Sequence, residues 1–132
     1  MKEFNKSPMI EKLLINLSNH PSPLWSKEQK SSASRYGEII DIPFPPIDAG
    51  GDETYISQLA DEYESRILEQ AEQKDITVHL MGEQTFCFAL LSRLLNKDIP
   101  CIASTTERIC KDLGEGRREM VFQFKRFREY KF

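Results

Sequence analysis

No apolar run in this chain approaches the roughly 20 residues that a membrane-spanning helix needs, and the hydrophobic share is 39%. Histidine is scarce, with two in the whole chain, and glycine numbers six. There is no G-x-G-x-x-G fingerprint, no P-loop and no G-x-S-x-G elbow. Positive charge is not in excess either: 18 Lys and Arg stand against 21 Asp and Glu, for a net charge of −3. That balance argues against broad binding to nucleic-acid duplex, which needs a basic face. It leaves a small anionic ligand open, because a pocket can be locally positive on an acidic protein. Two histidines and dispersed carboxylates make no metal set by spacing, and no cofactor is expected. The three cysteines, Cys87, Cys101 and Cys110, contain no C-x-x-C pair, so they are expected to be buried free thiols of a cytoplasmic protein.

What is present suits one domain. A chain of 132 residues can bury a core without disulfide staples. The opening Met1-Lys2-Glu3-Phe4-Asn5-Lys6 has no apolar stretch behind it and is expected to carry no signal peptide. Residues 1–11 are expected to form a loose extension and residues 12–132 the domain.

Apolar periodicity supplies the elements. Leu13 to Leu17 is a short, almost wholly apolar run, as in a strand covered on both faces. Pro21 and Pro23 interrupt regular structure, and Trp25 to Tyr36 reads as a helix with Ser22 or Ser26 as its cap. Glu38 to Ile42 reads as a second strand, and Pro43 to Asp52 as a loop. From Glu53 to about Lys74 a long helix is expected, with Ile56, Leu59, Ala60, Tyr63, Ile67 and Leu68 on one stripe. Ile76 to Met81 is a third strand and Gln84 to Leu95 a third helix, apolar nearly all round. Ile99 to Ala103 is a fourth strand, with Pro100 near its entrance. A short helix capped by Thr105 or Thr106 is then expected through Leu113. After the turn Gly114-Glu115-Gly116, Glu119 to Phe127 is an edge strand with Met120, Phe122 and Phe124 on one side. Right-handed crossovers then give an α/β, Rossmann-like, three-layer domain. Its mostly parallel five-stranded sheet has order 2-1-3-4-5, with the last strand antiparallel.

Three polar segments follow directly behind apolar runs, and in such a sheet they emerge at the carboxyl edge, where open α/β sheets bind ligands. The first is Ser18-Asn19-His20, behind Asn16 and Leu17. His20 is a candidate general acid or phosphate donor, weighed evenly against a turn residue. The second is Gly82-Glu83-Gln84-Thr85. Its glycine would let a ligand approach the start of the helix, where free N–H groups favour phosphate. Glu83 would orient a hydroxyl, act as a base or cap that helix. The third is Ser104-Thr105-Thr106-Glu107-Arg108, which offers hydroxyls, amides and a guanidinium fork. His79, inside a strand, is expected to be a satisfied core or interface histidine. The basic-aromatic tail around Arg126, Arg128 and Tyr130 is expected to be a charge-protected edge.

Three segments, Leu14-Ile15-Asn16-Leu17-Ser18-Asn19-His20, His79-Leu80-Met81-Gly82-Glu83 and Ile102-Ala103-Ser104-Thr105-Thr106-Glu107-Arg108, together with the closing Arg126-Phe127-Arg128-Glu129-Tyr130, resemble small CRISPR-associated proteins related to the CARF domain. The resemblance spans Lys12 to Tyr130. It implies a CARF-like fold and a role in antiviral defence. It also implies a two-fold homodimer whose ligand is a cyclic oligoadenylate, and a ring nuclease that opens that ring without a metal. On it, Ser18, Asn19, Gly82, Thr105 and Arg108 are expected at the phosphates, His20 as acid or donor, and Glu83 as a hydroxyl-orienting group. Asn16, Gln84, Thr85, Ser104 and Thr106 are expected to line the same site. The alternatives are a sensor or sponge that holds the ring intact, and a protein-interaction subunit that uses the apolar third helix.

Overall fold

A computed structural model describes residues 10–132. Its elements are β1 (Glu11–Ser18), α1 (Lys27–Ala33), β2 (Glu38–Asp41), α2 (Glu53–Ala71), β3 (Lys74–Met81), α3 (Gln84–Asn96), β4 (Cys101–Gly114) and β5 (Arg117–Glu129). They form one five-stranded sheet in the order β2-β1-β3-β4-β5. The first four strands run parallel and β5 runs antiparallel to β4. The expected fold class and strand order are those observed. The loose extension expected over residues 1–11 falls mostly outside the described residues, and Glu11 already pairs with Lys74 in the sheet.

The alternation of β1 and β3 divides the interior. Leu13, Ile15, Leu17, Ile76, Val78 and Leu80 face α2 and α3, where Tyr63, Ile67, Phe86, Leu90 and Leu94 complete an apolar core. Leu14 and Ile102 lie on the other face with Trp25, Ala33, Phe124 and Phe127. That second face is covered by α1, which is shorter than the sequence implies. Pro21 and Pro23 hold Ser22–Leu24 in a single 3₁₀ turn, and the Ser26 hydroxyl accepts from Gln29 N–H, so the helix starts at Lys27 and leaves Trp25 before it. It then tightens into a second 3₁₀ turn at Ser34–Tyr36. Helix α2 ends at Ala71, three residues before the expected limit, because β3 begins at Lys74.

The largest departure is at β4. The helix expected from Thr105 or Thr106 through Leu113 is a strand, because β4 runs unbroken to Gly114 and pairs with β5 as far as the hairpin. Thr105, Thr106 and Ile109 are β-branched, and stiff side chains of that kind suit a pleated ribbon better than a helix. Gly114, Glu115 and Gly116 all have positive φ, which makes the turn and fixes the register. Only Cys101 and Ile102 of β4 pair with β3, so from Thr106 onward the β4–β5 ribbon projects beyond the body. Cys110 lies on this ribbon and is exposed, against the expectation of burial. Among the described residues no helix is long and apolar enough to cross a membrane.

Candidate functional site

The strand order reverses between β1 and β3, so the segments leaving those two strands flank the topological switch point at the carboxyl edge, where such sheets bind ligands. The first, Ser18-Asn19-His20, is held from below by a polar rung across the sheet. Asp41, Asn16 and His79 are neighbours on β2, β1 and β3. The Asn16 amide donates to Asp41 Oδ1 and to the His20 carbonyl, both at 3.0 Å. Its oxygen accepts from the Ser18 hydroxyl at 2.8 Å and bonds His79 Nδ1 at 2.9 Å. The His20 carbonyl also accepts from the Trp25 indole at 2.9 Å. The Ser18 hydroxyl lies 3.2 Å from the same oxygen and accepts the His20 N–H. Asp41 in turn accepts from Ser22 N–H and Oγ. One backbone carbonyl is thus fixed from two segments, β1 and the stretch before α1, while Asn19 and His20 stay exposed.

His79 is 1% exposed and is the satisfied core histidine the sequence implied. Burial, with a smaller contribution from the nearby His20, pulls its pKa down to about 4. A neutral ring has one N–H. Asn16 Oδ1 can only accept, so that proton sits on Nδ1, and Nε2 accepts from the Ser104 hydroxyl at 3.2 Å. Ser104, His79 and Asn16 therefore stand in the order of a nucleophile, a base and its orienter. The ring is nonetheless a weak base, and Trp25 and Phe127 cover it edge-on at 5.2 and 5.6 Å between centroids. What the relay does is hold the Ser18–His20 loop.

On the other side of the switch point, Glu83 caps α3. Its carboxylate accepts from Phe86 N–H and from the Thr85 hydroxyl, both at 2.7 Å, and these bonds lower its pKa. The carboxylate thus takes the helix-terminal N–H that a phosphate would use. Gly82 is glycine for a different reason than ligand approach: a Cβ there would collide with the Phe44 ring. Phe44, from the Pro43–Asp52 segment, packs edge-on against Phe86 at 5.3 Å. Gln84 and Thr85 remain exposed at the edge. Beside them a cavity of about 290 Å³ opens, lined by Met81, Gly82, Gln84, Cys87, Leu91 and Tyr130 among others. The Tyr130 hydroxyl donates to the Leu80 carbonyl at 2.8 Å. Burial raises the Cys87 and Cys101 thiols to about 12, which keeps them protonated and unreactive.

The third expected loop does not exist as a loop. Ser104 lies beside His79, but Thr105 donates to the Arg126 carbonyl within the β4–β5 ladder. Thr106 and Arg108 are exposed on the projecting ribbon, opposite Phe124 and Phe122. Four residues of strand separate Arg108 from Ser104, roughly 13 Å. The structure thus brings Asn16, Ser18, Asn19, His20, Gly82, Glu83, Gln84, Thr85 and Ser104 to one edge and leaves Thr106 and Arg108 outside it. Asp41, Trp25, Phe44 and Tyr130 were not singled out from sequence as parts of this edge. The trace of Asp41 was a carboxylate closing an otherwise apolar strand. Among the described residues, no three of His, Cys, Asp and Glu are grouped to hold a metal ion.

One family model, described as the uncharacterized protein MJ1673 family, matches residues 12–128. The chain belongs to that family. The MJ1673 match takes in all five strands and the helices between them, short of Glu11 at the start of β1 and Glu129 at the end of β5. No curated protein matches the chain, and no solved structure does.

Proposed function

We propose that this member of the MJ1673 family binds a cyclic oligoadenylate at the carboxyl edge of its sheet and opens the ring without a metal. The observation that carries this reading is the juxtaposition at the end of β3. A rigid polar loop, Ser18–His20, lies on one side and a largely apolar cavity of about 290 Å³ on the other. A nucleotide presents that pair of demands, an apolar base face and a phosphate seeking donors. The resemblance of these segments to CARF-related proteins narrows the nucleotide to a cyclic oligoadenylate. Asn19, the loop amides and Gln84 then serve as phosphate and sugar contacts. In ring opening, a ribose 2′-hydroxyl loses its proton to water as its oxygen attacks the adjacent phosphorus, the bond to the 5′-oxygen breaks, and His20 gives that oxygen its proton and regains one from solvent. The product is a linear chain ending in a 2′,3′-cyclic phosphate. Holding the 2′-oxygen in line supplies much of such a rate.

A second reading, a module that holds the ring intact, is favoured by one observation. Glu83 is committed to capping α3 and Arg108 stands off on the ribbon, which leaves His20 as the one exposed titratable side chain of the Ser18–His20 loop. Incubation with cyclic tri-, tetra- and hexa-adenylate in EDTA, followed by chromatography and mass spectrometry, separates the two. Linear products with cyclic phosphate ends establish the nuclease, and their loss in His20→Ala establishes the acid. Bound but intact rings establish the sensor. Rings neither bound nor cut by the wild-type chain overturn both.

A further inference from the structure

We infer that the β4–β5 ribbon is an exchange arm that seats itself on a second copy of this chain. This inference stands apart from the nucleotide reading and holds whatever the carboxyl edge binds. Beyond the Thr106–Phe124 pair, whose phenylalanine packs with Trp25 and Ala33, the ribbon pairs with no third strand, and a two-stranded ribbon alone is marginal in water. One of its faces continues the core outward. Phe124 is buried, and beyond it Phe122 is 67% and Met120 48% exposed, with Cys110 opposite Met120. Such a stripe on an otherwise charged surface calls for cover.

Three arguments identify the cover as another copy. The first is charge. Residues 106–125 carry five Lys or Arg and four Asp or Glu, a nearly neutral ribbon unsuited to nucleic acid or to an anionic membrane. The second is a matching seat. A groove of about 550 Å³ between α2 and α3 is lined by Ile56, Phe88 and Ala89, with Asp52, Glu53 and Arg93 as its charged groups, the arginine already paired with Asp61. Phe88 is 72% exposed there. On the ribbon, Arg118 shares a face with Met120 and Phe122, so an apolar knob and a cation meet an apolar floor and two carboxylates. The groove lies between α2 and α3, on the sheet face opposite the one that Phe124 continues, so the seat is a partner's. The third is area. A ribbon about 30 Å long and about 10 Å wide presents about 300 Å² per face. Two arms laid on two bodies bury about 1,200 Å² in total, the threshold of specific interfaces, whereas arm on arm buries only about 600 Å². A two-fold axis satisfies both contacts at once and closes the assembly.

Sedimentation velocity of the full chain over a concentration series tests this. The wild type is expected to dimerise, and Phe122→Ser to weaken dimerisation about 30-fold or more, as loss of a buried aromatic anchor does, with the same thermal melt as wild type at dilutions where both are monomers. Arg118→Glu is expected to weaken it as well, and Arg118→Glu with Glu53→Arg to restore it. A wild type that stays monomeric throughout, or a Phe122→Ser chain that dimerises like wild type, overturns the arm. A charge swap that restores nothing overturns the groove as its seat.

Discussion

The two faces of the sheet bury comparable strands in different ways. Towards α2 and α3 the interior is hydrocarbon: Phe86, Leu90 and Leu94 meet Ile15, Val78 and Leu80, all fully buried. Towards α1 the same strands bury Asn16, Ser18 and His79, each with its hydrogen bonds made. The apolar face holds by area and shape, which tolerate no direction. The polar face adds to its smaller apolar cluster, Leu14, Trp25, Ile102 and Phe127 among it, a set of directed bonds of which those from Asn16 and Trp25 end on the His20 carbonyl. One face gives stability, and the other spends some of it on positioning a loop.

Mutations can break that contrast, most severely on the apolar side. Phe86→Ala removes the ring that Phe44 and Tyr63 meet edge-on. It is expected to cost about 3–5 kcal/mol in denaturant unfolding, by the same amount at every pH. The polar side should instead respond to acid. His79 has a folded pKa of about 4 against 6.5 free, so the unfolded chain binds the extra proton between those values. The contribution of the neutral ring is full above pH 6.5 and is lost as pH falls towards 4, about 3 kcal/mol in all. Unfolding curves of wild type and His79→Gln between pH 7.5 and 4.5 check this: the wild-type slope should exceed that of the variant. A smaller effect is expected from Ser26→Ala, which uncaps the short helix over the polar face and should cost about 1 kcal/mol by thermal melting. The smallest belongs to the ribbon, where Phe122→Ser should change monomer stability by less than about 0.5 kcal/mol.

Much of this was legible in the residues. The apolar runs at Leu13, Ile76 and Ile99 and the helical stripes of α2 and α3 gave the strand order, because burial on both faces writes itself as continuous hydrophobicity. The Ser18–His20 segment and the core role of His79 were also readable. The ribbon was not. Thr105-Thr106-Glu107 has the local chemistry of a helix start, and what makes it a strand is β5, a partner that no window around Thr106 contains. Gly82 misled for a related reason. Its closeness is to Phe44, which lies 38 positions earlier in the chain, and a lone glycine does not say what approaches it. Glu83 resolved to its cap because Thr85 and Phe86 lie within reach on the same turn.

The central claim, that the loop held by Asn16, Ser18 and Trp25 is the ligand side of this domain, is tested most directly by thermal unfolding with and without cyclic oligoadenylates. The measurement compares wild type with the double variant Asn19→Ala, His20→Ala. A ring at about 100 times its Kd should stabilise the wild type by about 2.7 kcal/mol, and the double variant should need at least about tenfold more ring for the same shift. A wild-type melt unmoved by any of the three rings, or a double variant stabilised as strongly as wild type, would contradict it.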